Sequence, residues 1–271
     1  MFRLTFTRVV AVALCVCATT AQADRLSDIK ARSKLVCATL TGAEPLAFQN
    51  PATREYVGFD VDTCKSLAKH LHVELEHRPI SVEARIPELA LGRVDVVAAS
   101  LGYTKERAEQ IAFSDIYYQL PLKIIVASNS PIQTFADLAG KKIAANKGST
   151  SELNARNKLP GSEVVTYQDG TMAFLALAQG KVQAYAISQA PGARLLHESS
   201  GKFRFLDESL VYEPTGLGVK KGESELLDAV NKALRDMESS GELDALWRKW
   251  FGPDTKLKIV REKKLTPLSA F

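Results

Sequence analysis

DVVAASLGYTKERAEQIAFSD, residues Asp95–Asp115, runs from a strand through a polar loop into a short helix and out again. Val94, Val96 and Val97 lead into two alanines, the composition of a strand buried on both faces. Ser100-Leu101-Gly102 breaks that strand where a helix must begin, and Thr104 has the side chain of an N-cap. A serine hydroxyl, the N–H groups of a glycine loop and Arg107, one turn into the helix, converge beyond the strand's carboxyl end. Such a point suits a carboxylate.

Towards the amino end, Lys34–Leu40 alternates as a strand, and Gly58-Phe59-Asp60 leads into a helix with Val61, Cys64, Leu67, Ala68 and Leu71 at helical spacing. Asp60 and Asp62 sit favourably in its first turn. Strand Val73–His77 and helix Val82–Leu91, stopped at Gly92, complete a doubly wound α/β unit. Towards the carboxyl end, Leu122–Ala127 is another apolar strand, and the alternation restarts with a short helix capped by Thr134 and strand Lys142–Asn146. Helix Ser151–Lys158, strand Val164–Tyr167, helix Thr171–Gln179, strand Val182–Ile187, helix Gln189–Glu198 and strand Phe203–Leu206 follow. Tyr212–Lys220 reads as a crossing strand. Two amphipathic helices come next, one with Leu226, Leu227, Val230, Leu234 and Met237, the other with Leu243, Leu246, Trp247 and Trp250. The class is α/β, and periodicity alone allows two units in tandem.

Residues 1–23 carry Arg3 and Arg8, the apolar run Val9–Ala18 and then Ala21-Gln22-Ala23, the order of a cleavable secretory signal, with cleavage expected before Asp24. A lipoprotein anchor on Cys15 or Cys17 fits poorly, because Leu14 and Val16 stand where a small residue belongs. Of 35 basic residues, 33 remain after cleavage against 31 acidic ones, a balance that points to neither nucleic acid nor membrane. The basic tail Lys256–Lys264 reads as a solvated end. At 46% hydrophobic, the chain can bury one large core or two smaller ones. Cys37 and Cys64 lie in the first strand and the first helix, and two readings stand: a disulfide or two buried thiols. No Cys/His spacing suits a metal, and His70, His72, His77 and His197 read as ordinary surface or core residues. Neither a metal nor a cofactor is expected. No G-x-x-x-x-G-K-[ST] occurs, and Gly216-Leu217-Gly218 fails G-x-G-x-x-G because Lys221 stands at the third glycine.

Asp95, Ser100, Leu101, Thr104, Arg107, Phe113 and Ser114 together resemble the ligand-binding segment of the periplasmic amino-acid-binding proteins that serve ABC transporters, solute-binding protein family 3. The similarity spans roughly residues 34–252. It implies a two-lobed periplasmic-binding-protein fold of type II, two doubly wound α/β lobes joined by a two-strand hinge. Lobe 1 is then 24–119 plus 213–271, and lobe 2 is 120–212. The ligand site lies in the cleft between them.

The resemblance assigns the ligand's α-carboxylate to Arg107, with Ser100 and Gly102 beside it; the plain reading of Arg107 is an exposed helix arginine. Lys147-Gly148-Ser149-Thr150, between a strand and a helix, matches the family's second carboxylate turn, with Gly148, Ser149 and Thr150 offering N–H groups and hydroxyls, although such residues cap helices everywhere. A ligand held from both sides favours the closed state. Ala84-Arg85-Ile86-Pro87 resembles an N-R-I-P element with alanine for asparagine, leaving Arg85 either near the ligand or in a structural ion pair. Val82 falls at an apolar wall, and Phe48 matches a structural phenylalanine. Where relatives carry an aspartate for the ligand's ammonium this chain has Ser188, which supplies no charge. Glu44 is the candidate to compensate; its plain reading is a solvated loop acid. Pro45 and Leu46 stand where a stacking aromatic is usual, and Tyr103 either replaces it or covers the hinge.

The resulting expectation is a periplasmic, monomeric protein that captures a small carboxylate-bearing ligand, a polar amino acid foremost, and presents it to a membrane permease without catalysis. A dehydratase with Glu44 as its acid is the alternative on the same fold, as is a binder of a carboxylate that is not an amino acid. A sensor module is disfavoured, since no anchor or signalling segment follows.

Overall fold

The computed structural model describes residues 24–271, so the expected signal segment lies outside the described residues. The chain enters on α1 (Arg25–Ala31), a helix absent from the sequence reading, whose first N–H groups are capped by the Asp24 carboxylate. The first lobe continues with β1 (Lys34–Leu40), the short pair β2 (Phe48–Gln49) and β3 (Tyr56–Val57), α2 (Phe59–His70), β4 (Glu74–Ile80), α3 (Arg85–Ala90), β5 (Val96–Val97) and α4 (Lys105–Ala108). Strand β6 (Ile111–Ala127) leads into β7 (Lys142–Asn146), α5 (Thr150–Lys158), β8 (Glu163–Tyr167), α6 (Gly170–Ala178), β9 (Ala184–Ser188) and α7 (Gln189–Glu198) of the second lobe. Strand β10 (Phe203–Lys220) returns, and α8 (Ser224–Ser239) and α9 (Glu242–Phe251) pack on the first lobe.

All but β2 and β3 form one eight-stranded sheet in the order β4-β1-β5-β10-β6-β9-β7-β8. β1 lies parallel between β4 and β5, and β7 lies parallel between β8 and β9. The two long strands pair antiparallel through the centre, from Phe203↔Ala127 to Lys220↔Ile111, so that β10 reaches β5 and β6 reaches β9. The tandem arrangement that periodicity allows is thereby excluded: both central strands serve both lobes. Leu122–Ala127 proves to be the end of a 17-residue strand, and Phe203–Leu206 and Tyr212–Lys220 are parts of one 18-residue strand. Asp207 and Glu208, exposed where the register shifts, hide that continuity from a reading of apolar runs.

Burial explains the layering. In β1, Leu35 and Cys37 enter one apolar cluster while Val36, Ala38 and Leu40 enter another; in β9, Ala184 and Ala186 separate from Tyr185 and Ile187 in the same way. Each lobe's sheet is therefore covered on both faces, as a doubly wound sheet requires. Helices are shorter than the apolar pattern suggests where proline or polar residues intervene: α3 begins only at Arg85, and the segment after Thr134 is a single 3-10 turn, Ala136–Leu138, with Thr134 and Gln133 donating to the Asp137 carboxylate.

Cys37 and Cys64 are joined as a disulfide, Cα atoms 5.9 Å apart, tying β1 to α2. The basic tail is solvated at its lysines, with Lys256, Lys258, Lys263 and Lys264 exposed, but it is anchored by its arginine. Arg261 is 4% exposed in its side chain, pairs with Glu238 at 2.6 Å and Asp244 at 2.8 Å, and donates to the Tyr117 carbonyl; Thr266 then bridges to Ile116 of β6. Acids on α8 and α9 are its partners, and they lie too far along the chain for charge counting to pair them. Among the described residues, no helix is long and apolar enough to cross a membrane, and no three His, Cys, Asp or Glu side chains are grouped to hold a metal ion.

Candidate functional site

Where β1, β5, β7 and β9 end, the lobes enclose a cavity of about 90 Å³, on the scale in which one water needs roughly 10–15 Å³. That is room for several waters or one small organic molecule. Glu44, Val82, Arg85 and Ser100 line it from the first lobe, Ser149, Thr150, Ser188 and Arg194 from the second, and Glu213 of β10 from between them. Tyr185 and Asn146 also line it, joined by a hydrogen bond of 2.9 Å.

Ser100, three residues beyond the end of β5, takes a left-handed conformation, φ 47°, unusual for a residue with a side chain. Two groups hold it there. Its N–H donates to the Asp60 carboxylate at 3.0 Å, and its carbonyl accepts from Arg85 Nη1 at 2.8 Å. Asp60 stands at the buried start of α2 and also accepts from the Tyr117 hydroxyl at 3.0 Å. Burial pushes its carboxyl from 3.8 up to about 7, and the Tyr117 and Ser100 hydrogen bonds and the Arg85 charge only partly oppose this.

A carboxyl whose folded pKa is raised takes up a proton on folding between about pH 4 and 7. Its contribution therefore favours the folded state in acid and is withdrawn as pH rises through about 7, by on the order of 4 kcal/mol at 1.36 kcal/mol per pH unit. Asp60→Asn is accordingly expected to gain melting temperature relative to the unaltered chain on going from pH 5 to pH 8. A difference that does not change with pH, measured by calorimetry in matched buffers, would count against the raised carboxyl.

Arg107 stands at the junction beside the cavity. Thr104 caps α4 through Arg107 N–H at 3.2 Å, and the guanidinium donates to the Gly102 carbonyl at 2.7 Å and across the lobes to the Gly148 carbonyl at 2.9 Å. Arg107 lines an adjoining pocket with Gly148, Val82 and Arg85, and the cavity between the lobes is lined without it. Arg85 is buried, with four of its five N–H groups bonded: Nε donates to the Val82 carbonyl at 2.7 Å, Nη1 to Ala99 and Ser100, and Nη2 to Gly148 at 3.3 Å. Neither of its expected alternatives is met in full, since it touches the cavity while its donors go to carbonyls rather than to an acid. Gly148, with φ 73°, places one carbonyl before two arginines of the other lobe.

The carboxylate that the junction meets is the chain's own. Glu213 is 5% exposed, and the Thr150 hydroxyl at the start of α5 donates to it. A side chain on Gly102 would collide with it. Burial pushes the Glu213 carboxyl up, while the Thr150 hydrogen bond and the nearby Arg107 and Arg85 charges pull it back. Ser149 is the N-cap of α5, accepting from Glu152 N–H at 3.1 Å.

The remaining residues divide. Ser188 lines the cavity at the start of α7, and Glu44 lines it from the loop after β1, 3.9 Å from Arg194. Phe48 packs edge-on against Trp250 at 6.0 Å and Tyr103 against Phe113 at 5.4 Å, so both are structural contacts away from the cavity. Asp95, the first residue of the motif, is buried and anchors Arg25, Arg32 and the Val36 N–H. Sequence reasoning missed Glu213 and Arg194. A lone acid in the buried half of β10 was a usable signal for the first. For the second, Ser188, Pro191 and Arg194 recur every three residues on one face of α7.

The profile described as bacterial extracellular solute-binding proteins, family 3, matches residues 35–253. The ABC transporter glutamine-binding protein GlnH of Bacillus subtilis is 32% identical over 235 residues, 85% of this chain and 86% of that protein. Among solved structures, an ancestral arginine-binding protein bound to arginine superposes with a TM-score of 0.77 at 35% identity, covering 82% of this chain and 99% of the other. The ancestral amino acid-binding protein AncCDT-1, a precursor of cyclohexadienyl dehydratase, gives 0.77 at 32% identity, with coverage of 83% and 99%. A profile spanning both lobes, agreeing with a shared sheet order and a cavity at the lobe junction, makes this chain a member of the bacterial extracellular solute-binding proteins, family 3.

Proposed function

We propose that this chain captures a small amino acid between its lobes outside the cytoplasm and presents the closed form to the membrane permease of an ABC importer. The cavity carries this reading. Both lobes build it, and its facing walls bring an acid, Glu44, opposite an arginine, Arg194. A zwitterion fits charges of both signs, and it holds the lobes together because it interacts fully with both only when they are closed. Arg85 and Arg107 serve this closure by reaching the Gly148 carbonyl of the second lobe.

Binding without turnover is the accompanying reading. The dehydratase alternative needs Glu44 desolvated beside a bound ring, whereas its side chain is 42% exposed and faces a cation. The likeness to AncCDT-1 is compatible with this, since that protein is itself described as amino acid-binding.

A thermal-shift screen of ligand-stripped residues 24–271 tests the proposal, pairing each amino acid with its deaminated carboxylate. An amino acid at ~1,000 times its dissociation constant adds about 4 kcal/mol and is expected to raise the melting temperature well beyond its deaminated partner. If no amino acid shifts the transition, or the partners shift it equally, the amino-acid reading is lost. Recovery of an altered compound from the incubated sample would restore the enzyme.

A further inference from the structure

Resting on the amino-acid reading, we propose that Glu213 of β10 receives the ligand's ammonium, supplying the charge that Ser188 lacks. This leaves the carboxylate with Arg107, whose Nη1 and Nη2 are bonded to carbonyls and whose Nε is not. The first observation is position. Ser188, at the end of β9, pairs with Leu122 of β6, and Leu122 pairs on its other side with Val211, two residues before Glu213. Ser188 and Glu213 thus stand on either side of β6, and both line the cavity. A carboxylate on β10 faces the same space that one at position 188 would face.

The second observation is the state of that carboxylate. Glu213 is 5% exposed, yet among the described residues no lysine or arginine forms an ion pair with it, and its one hydrogen bond comes from the Thr150 hydroxyl to Oε1. Arg85 and Arg107 act on it through space, while the N–H groups they use go to carbonyls. Oε2 accepts from no group of the described residues and is not sealed from the cavity that Glu213 lines. A buried acid with acceptors to spare is costly, and a cation brought to it out of water is held strongly. The ligand's ammonium brings both the charge and the N–H donors, and its own carboxylate at Arg107 offsets the positive charge nearby. Ser100, on the same cavity, offers its hydroxyl oxygen as a second acceptor.

The third observation concerns the rival. Glu44 is the other acid on the cavity wall, and it is the weaker receptor. Its side chain is 42% exposed, so water competes for its charge, and Arg194 already stands 3.9 Å from it. An ammonium placed there would meet a guanidinium of like charge. Glu44 is then left to pair with Arg194, a contact between the loop after β1 and α7 of the facing lobe.

The test is the discrimination between an amino acid and its deaminated carboxylate. The probes are the standard amino acids and their deaminated partners, and the pair that differs most in thermal shift is carried into titration calorimetry. The unaltered chain should prefer the amino acid on the order of 100-fold. Glu213→Gln, which keeps an acceptor for the Thr150 hydroxyl, is expected to bring that ratio close to one, whereas Glu44→Gln should keep it. A ratio that survives in Glu213→Gln, or that collapses in Glu44→Gln, overturns the assignment. Ratios stand apart from general damage to the fold, which weakens both members of a pair alike. Should Glu213→Gln fail to fold, a crystal structure of the unaltered chain with its amino acid decides. An α-nitrogen within about 3.2 Å of a Glu213 oxygen supports the proposal, and one placed on Glu44, or on neither acid, ends it. Failure of the parent reading is separately visible, as absence of any amino-acid binding by the unaltered chain.

Discussion

Arg85→Ala is expected to lower the unfolding free energy by about 3–5 kcal/mol, the cost of removing one member of a buried charged set. An exposed arginine on a short helix would cost within about 0.5 kcal/mol. The difference arises from its surroundings. The side chain is 4% exposed, and its donors satisfy the carbonyls of Val82, Ala99, Ser100 and Gly148. Alanine strands those acceptors, deprives Glu213 of a neighbouring cation and releases the carbonyl that helps hold Ser100 at positive φ. Burial, followed by the Arg107 charge, depresses the Arg85 guanidinium to about 9, which still leaves it protonated at neutral pH. Urea unfolding at pH 7 measures the effect, and Arg85→Lys, which keeps the charge but loses the fork, should fall between the two. A midpoint within experimental error of the unaltered chain would mean that these bonds do not hold the junction.

Opening the Cys37–Cys64 bridge is expected to cost about 3.5 kcal/mol, the chain-entropy value for a sequence separation of 27. Oxidised and reduced samples of residues 24–271, or the double serine variant, should differ by this amount in urea. Thiol titration in denaturant should count none before reduction and two after. The bridge has reach beyond its own loop, because it ties β1 to α2, and the first turn of α2 carries the Asp60 carboxylate that holds Ser100. Reduction should therefore also weaken ligand binding. Equal stability of the two forms would show the cross-link to be idle.

The parts of the cleft legible in the sequence are those whose chemistry is local. Thr104 caps the helix of Arg107, Ser149 caps the helix of Thr150, and apolar alternation finds β1 and β7 to the residue. Each of these depends on neighbours within a turn or a strand. What escaped depends on residues far apart. Glu213 reaches Thr150 across 63 positions and Arg194 meets Glu44 across the cleft, and neither contact leaves a periodic trace. Arg107 was singled out by its motif, but its role turns on what else occupies the junction, and that is decided by β10 arriving from the far end of the chain. In the tail, only the anchoring of Arg261 escaped, for the same reason: it looks unpaired until α8 and α9 bring Glu238 and Asp244 beside it.

The two central strands also impose an order of assembly. As the chain emerges amino end first, β5 displays an open sheet edge until Gly218 and Val219 arrive to pair with Val97 and Val96, more than a hundred residues later. The second lobe has no such delay, since its sheet and helices come from consecutive residues between β6 and β10. It can close on itself while the other half waits for partners not yet present, and contacts of such long sequence separation are slow to form. The last residues to appear complete the first lobe, with Thr266 pairing to Ile116 on the strand that leads out of it. Nascent chains are thus exposed longest at their oldest end, where a bridge between Cys37 and Cys64, made early from residues already at hand, steadies the half-built sheet.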